Sequence, residues 1–185
     1  MSNTGEHALI AHFEQFLTEH KRRRVEAVLA QRTRHLTVVL EDIHNAYNAS
    51  AVLRSCECFG VQDVHIIAHQ NSFDPSIRVS RGSFRWTSLQ RYTGVGEEAT
   101  RRCIHSLKAR GYSIVATTPH TDAYTPDTLP IDQKIALCFG KEVTGLSPLA
   151  LQEADMHLYI PMYGFTESLN LSVSAAILLH KIVPK

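Results

Sequence analysis

The chain has 185 residues, of which 44% are hydrophobic and 20% charged, with a formal net charge of +1. That is the composition of a soluble globular protein, long enough for one domain with a sheet covered on both faces. No apolar run approaches the roughly 20 residues that a membrane-spanning helix requires, which excludes a transmembrane role.

Residues 7–19 place Leu9, Ile10, Phe13, Phe16 and Leu17 on one face of a predicted helix. The following segment, KRRRVEAVLAQRTRH, carries a thin stripe of Val25, Val28 and Leu29 among basic residues. It suits a helix lying on the body with its charged side outward. Residues 1–35 are therefore read as a helical, basic extension, and residues 36–185 as the main domain. From Leu36 the pattern changes. Apolar strand-like runs at 36–40, 64–68, 112–118, 134–139 and 156–160, with a weak strand at 89–92, alternate with amphipathic stretches. Helices are predicted from about Asn48 to Phe59, over 97–110, from Pro148 to about Ala154, and through the last stretch to His180. Ser147 caps the third, and Thr166 or Ser168 is expected to cap the last, with Leu169, Val173, Ala176, Ile177 and His180 as its apolar stripe. A long polar region before 89 carries Arg78, Arg81, Arg85 and Trp86. Trp86 is read as the buried anchor of that region, with base stacking as the alternative. The alternation predicts an α/β fold: a mostly parallel sheet flanked by helices.

Cys56, Cys58, Cys103 and Cys138 show no C-x-x-C pairing and follow no secretory signal, so they read as reduced thiols, mostly in the core, of a cytoplasmic protein. The eleven histidines include no H-E-x-x-H, and no metal is expected. Neither a G-x-G-x-x-G after the first strand nor a phosphate-binding P-loop occurs, so the common nucleotide-binding classes lack their fingerprint. Two basic clusters stand out, Lys21–Arg24 with Arg32 and Arg34, and Arg78, Arg81 and Arg85. Such clusters serve an acidic partner such as RNA, or form a solvated basic face.

Ligands of parallel sheets bind at the carboxyl ends of strands, which directs attention to 41–54, 117–118, 139–146 and 160–170. In FGKEVTGLS (139–147), glycines flank a lone carboxylate, Glu142; glycine there permits positive φ or a close backbone approach. Asn48 is either a helix cap or a site residue, and Arg54 either a surface ion pair or a ligand group beside the strand ends. In IPMYGFTESLNLSVSAAILLH (160–180), Ser168, Asn170, Ser172 and Ser174 alternate with Leu and Val. Buried hydroxyls and amides need partners, so some of these should meet a ligand or another segment.

Taken together, LEDIHNAYNASAVLRSCECFG, ALCFGKEVTGLS and IPMYGFTESLNLSVSAAILLH resemble, in order and spacing, the three motifs of the SpoU/TrmH family of SPOUT-class RNA 2′-O-ribose methyltransferases. The lead-in KRRRVEAVLAQRTRHLTVVLED is similar to the branch that methylates a D-loop guanosine (position 18) of tRNA. That branch usually has Lys-Pro-His where this chain has Asn45-Ala46-Tyr47. The resemblance implies a C-terminal deep trefoil knot, an obligate homodimer, and S-adenosylmethionine held largely by backbone groups. It places cofactor contacts at Thr117, Gly140, Ile160 and Leu169, and a catalytic set at Arg54, Asn48, Glu142, Ser168 and Asn170. RNA contacts would come from Arg22, Arg23, Arg24, Arg78, Arg81 and Arg85. Methylation of ribosomal RNA or another tRNA nucleotide, or RNA binding by a knotted protein without catalysis, are the alternatives.

Overall fold

A computed structural model describes residues 4–69, 76–119 and 123–183. The chain divides into two compact units, Met1–Arg32 and Thr33–Lys185.

The first unit holds helices α1 (Thr4–Glu14) and α2 (Glu19–Ala30). The amphipathic face expected through residue 19 is interrupted, because the hydroxyl of Thr18 accepts from the Lys21 amide and starts a new helix. Glu19 follows in its first turn, where a negative charge suits the helix dipole. Phe16 and Leu17 consequently fall in the connecting turn. Within this unit Leu9, Ile10, Phe13, Val25, Val28 and Leu29 do not bury one another and stay exposed. Two short helices have too little surface to build a core of their own.

The second unit is built on six strands: β1 (Leu36–Glu41), β2 (Asp63–Ala68), β3 (Ser88–Thr93), β4 (Ser113–Thr117), β5 (Ile135–Phe139) and β6 (Met156–Leu158). They form one sheet of order β3-β2-β1-β5-β4-β6, and every pairing is parallel. Side chains alternate between two cores. Leu36, Val38, Leu40, Ile135, Leu137 and Phe139 meet α3 (Ala46–Cys58) and α7 (Leu171–Ile182) on one face. Val39, Ala136, Cys138, Ile114 and Ala116 meet α5 (Glu98–Ala109) and α6 (Pro148–Glu153) on the other. The chain runs outward from β1 to β3, crosses back, and places β5 against β1. That reversal opens a crevice between the carboxyl ends of β1 and β5.

Three expectations are corrected here. The polar region before β3 contains a helical turn, α4 (Ile77–Ser80), and a 3-10 turn at Ser83–Arg85; Trp86 beside it is 65% exposed and anchors nothing in the core. Helix α7 begins at Leu171 with Asn170 as its cap, four residues later than a cap at Thr166 and two later than one at Ser168 would place it. It buries Leu171, Ala175, Leu178, Leu179 and Ile182, which turns the expected stripe of Leu169, Val173, Ile177 and His180 outward. Among the described residues no helix is long and apolar enough to cross a membrane.

Candidate functional site

The crevice is furnished by the turns that leave β1 and β5 and by the cap of α7. Asn45 stops the chain leaving β1: its side chain accepts from the Tyr47 amide at 2.9 Å and caps α3. The cap is therefore Asn45, and Asn48 sits inside the first turn with its amide available. Its Nδ2 donates to Glu142 Oε1 at 2.9 Å. The Asn45 amide reaches the same oxygen at 3.4 Å. On the other side, Asn170 Nδ2 donates to Asn48 Oδ1 at 3.1 Å. Asn170 Oδ1 accepts in turn from the Ser172 amide and hydroxyl, at 2.9 and 2.7 Å. A backbone N–H can only donate, so the Ser172 amide fixes the orientation of Asn170. A carboxylate can only accept, so Glu142 fixes that of Asn48. The result is one directed chain, Ser172–Asn170–Asn48–Glu142, across residues more than ninety apart in sequence.

Glycine makes the loop possible. A Cβ on Gly140 would overlap the carbonyl carbon of Gly145 and the amide nitrogen of Leu146, and Gly145 itself has φ of 72°. Lys141 and Gly145 exchange both backbone hydrogen bonds, which closes the loop that presents Glu142. Partial burial raises the pKa of Glu142, but the Asn48 amide and the backbone amides of Glu142, Asn45 and His44 outweigh it. Together they hold the carboxyl below its ordinary value, so it is ionised at neutral pH.

Arg54 lies on the same helix as Asn48, after the buried Val52 and Leu53. Among the described residues its guanidinium makes no hydrogen bond or ion pair, so the surface ion pair is not formed. It opens instead onto a groove of about 400 Å³ shared with Ser55, Ser172, Ala51, Phe59 and Val79. Ser172 belongs both to this groove and to the polar chain, and so joins the two.

Thr117, Gly140 and Ile160 lie at or just beyond the carboxyl ends of the adjacent strands β4, β5 and β6. Thr117 Oγ1 donates to the Cys138 carbonyl at 2.8 Å, so its side chain braces β5. Leu169 precedes the cap of α7 and is 40% exposed. Among the described residues the main chain of 160–169 forms no backbone–backbone hydrogen bond. Ser168 is exposed in this run and is not joined to the polar chain. Arg78, Arg81 and Arg85 are exposed on the α4 segment, where Arg81 takes a positive φ of 48°. In the first unit Arg22 pairs with Glu19 at 2.9 Å and with Glu26 at 3.3 Å, and Arg23 pairs with Glu19 at 2.7 Å. Arg24 has no such partner among the described residues.

The sequence reading marked Ser172 among the polar residues expected to find partners, but within 41–54 it did not single out Asn45 as a cap or the consecutive acids Glu41 and Asp42, which leave β1 beside the site. The acids carried a usable signal, since Glu41 ends a strand that is buried throughout and has no other charged residue.

A parallel sheet whose strand ends carry an oriented carboxylate–amide chain, a groove with an arginine, and a run of unpaired main chain defines an α/β protein with a ligand site at the carboxyl ends of its strands. The particular family follows from comparison. The model of the SpoU rRNA Methylase family matches residues 35–180, and the chain belongs to that family. It is 42% identical over 169 residues to the tRNA (guanosine(18)-2′-O)-methyltransferase of Borreliella burgdorferi, covering 91% of this chain and 75% of that one. Its fold is similar to the TrmH/SpoU tRNA modifying enzyme of A. aeolicus, with a TM-score of 0.79 at 27% identity over 89% of this chain and 81% of that chain. It is also similar to the SpoU methyltransferase AviRb of Streptomyces viridochromogenes, solved in complex with AdoMet, with a TM-score of 0.70 at 25% identity over 82% and 58% of the two chains.

Proposed function

We propose that this protein is an S-adenosylmethionine-dependent tRNA 2′-O-methyltransferase acting on guanosine 18 of the D-loop. The observation that carries the reading is the Glu142–Asn48–Asn170–Ser172 chain opening, through Ser172, onto the groove of Arg54. The residues fit the cofactor. The unpaired N–H and C=O groups of 160–169, beside Thr117 and Gly140, match the mixed donors and acceptors of a purine nucleoside. Thr117, Gly140, Ile160 and Leu169 would hold it. When bound, S-adenosylmethionine supplies an activated methyl group on a sulfonium.

What remains for the protein is to orient the ribose 2′-hydroxyl and to favour loss of its proton. The guanidinium of Arg54 offers five N–H donors and no acceptor, so it serves as a hydrogen-bond donor rather than a base. Its fork of donors binds an RNA phosphate and stabilises negative charge developing on the ribose oxygen. The proton passes to that phosphate or to water. Asn48 and Asn170, held in one orientation from both ends, position the ribose, and Glu142 and Ser168 shape the pocket. Arg22, Arg23, Arg24, Arg78, Arg81 and Arg85 contact the RNA backbone. Residues 1–35 act as a basic extension of a SPOUT domain spanning 36–185. That domain carries a deep trefoil knot in its C-terminal strands and helix, and it works without a metal in the cytoplasm as a homodimer. The outward stripe of Val173 and Ile177 on α7 supports an interface there.

The test is to incubate the protein with labelled S-adenosylmethionine and unmodified tRNA or ribosomal RNA, then map the alkali-resistant dinucleotide. A methylated guanosine 18 is expected; a label confined to ribosomal RNA, or none, overturns the reading. Arg54→Ala should lower turnover by about 10²–10³-fold while cofactor affinity is retained. Near-normal turnover by that variant removes Arg54 from the mechanism.

A further inference from the structure

At the end of β1 two consecutive acids are buried, and neither touches the polar chain described above. Glu41 is 3% exposed and Asp42 1%. Glu41 Oε2 accepts from the Ser147 amide at 2.8 Å. Its Oε1 accepts from the Ser147 hydroxyl at 2.8 Å and the Thr100 hydroxyl at 2.5 Å. Ser147 is the cap of α6, so this carboxylate holds the distal end of the loop that carries Glu142. Asp42 leaves the strand at a positive φ of 50°, which redirects its side chain away from the alternation of the sheet. Its Oδ1 accepts from the His69 amide at 3.1 Å, and Oδ2 lies 2.8 Å from Lys141 Nζ. Lys141 immediately precedes Glu142, so the second carboxylate holds the proximal end. A non-glycine residue in the left-handed region carries backbone strain that the surroundings must hold in place. Two of the holding contacts tie Asp42 to the end of β2, through the Ile67 carbonyl and the His69 amide, and the third, to Lys141, reaches the loop.

We infer that Glu41 and Asp42 form a two-point clamp that sets the position of Glu142, with the Asp42–Lys141 ion pair as its adjustable end. Asp42 and Lys141 are positioning residues: they act on the ribose only through Glu142, Asn48 and Asn170. The inference rests on the proposed transfer to a ribose oxygen for its kinetic consequence, but not for its structural one. A displacement of about 1 Å in a group that orients reactants costs up to ~10²-fold in rate. Asn tolerates the left-handed region, so Asp42→Asn removes the charge and keeps the turn.

The experiment compares wild type with Asp42→Asn, Lys141→Met, the double variant, Lys141→Arg, and Asp127→Asn as an ion-pair control away from the site. Folding of each is checked by its melting curve. Turnover on tRNA should fall about tenfold or more in Asp42→Asn and in Lys141→Met, with KM for S-adenosylmethionine within about twofold. The double variant should be no slower than either single one, and Lys141→Arg should recover most of the loss. In the protein without cofactor or RNA, the side-chain amide resonances of Asn48 should move in Asp42→Asn and Lys141→Met but not in Asp127→Asn. Wild-type turnover in Asp42→Asn, or unmoved Asn48 resonances in both single variants, overturns the clamp. If wild type transfers no methyl to tRNA the functional reading falls, and the amide resonances still decide the clamp.

Discussion

At the scale of single residues, the protein separates two uses of a buried polar group. Asn48 and Asn170 are each oriented by one partner that can act only one way, the Glu142 carboxylate and the Ser172 amide, as the proposed site requires. His65 is the opposite case. It is a buried residue of β2, stacked on Tyr92 of the neighbouring β3, and among the described residues it contributes to no cluster that could hold a metal. Burial first, then the positive charge of Arg110, push its pKa down to about 4 against a weaker opposing pull from Asp63. The unfolded chain binds a proton at His65 near pH 6.5 and the folded chain does not until about pH 4. Its contribution to stability is therefore complete above pH 6.5 and is lost as the pH falls toward 4, by on the order of 3 kcal/mol. Denaturant melts of wild type and His65→Phe between pH 4 and 7 should show a flatter pH dependence for the variant. Equal slopes would mean that His65 is not the neutral buried group. Glu142 works in the same direction lower down. Its folded pKa lies below 4.5, so the contacts of its carboxylate are present above that value and lost as the pH falls through the folded one.

At the scale of elements, α7 serves two ends with one residue. Asn170 Oδ1 caps the helix while its Nδ2 holds Asn48. The two roles can be pulled apart. Asn170→Ala removes both and should cost about 1 kcal/mol of stability along with activity. Asn170→Ser keeps a capping oxygen but cannot span to Asn48, so stability should hold to within a few tenths of a kcal/mol while turnover still falls. Equal turnover in wild type and Asn170→Ser would leave the amide chain without a role in catalysis. The glycines of the Glu142 loop belong to the same scale, since Gly140 lets the loop fold back onto its own backbone and Gly145 supplies the turn.

At the scale of the whole molecule, the net charge of +1 says little about RNA, because what matters is which arginines are already engaged. Arg22 and Arg23 are held by acids of their own helix, whereas Arg24 is not. Phosphate binding by Arg22 or Arg23 must first displace Glu19. Arg24→Ala should therefore weaken tRNA binding more than Arg23→Ala, and its salt dependence should be shallower than that of wild type. Filter binding across a salt series checks this, and equal slopes for Arg24→Ala and wild type would exclude a phosphate contact there.

The linear sequence determined the six strands and the parallel sheet, because strands buried on both faces must be continuous apolar runs, and these were the runs visible at β1, β2, β4 and β5. It also determined the glycine-flanked carboxylate and, by resemblance, the family. It determined Ser147 as the cap of α6, where Pro148 marks the first turn, but not which polar residue caps α3 or α7. Asn, Ser and Thr cap almost equally well, and the choice of Asn45 over Asn48, or Asn170 over Ser168, depends on where the chain turns. Nor could it orient α7, whose two sides are both apolar, so that periodicity cannot say which one faces the sheet. Only the tertiary structure decided these, together with the contacts of Glu142, Asn48 and Asn170 and of Asp42 with Lys141. Those pairs lie far apart along the chain; the side-by-side placement of β1 and β5 brings Glu142 to Asn48 and Lys141 to Asp42, and the packing of α7 beside α3 brings Asn170 to Asn48.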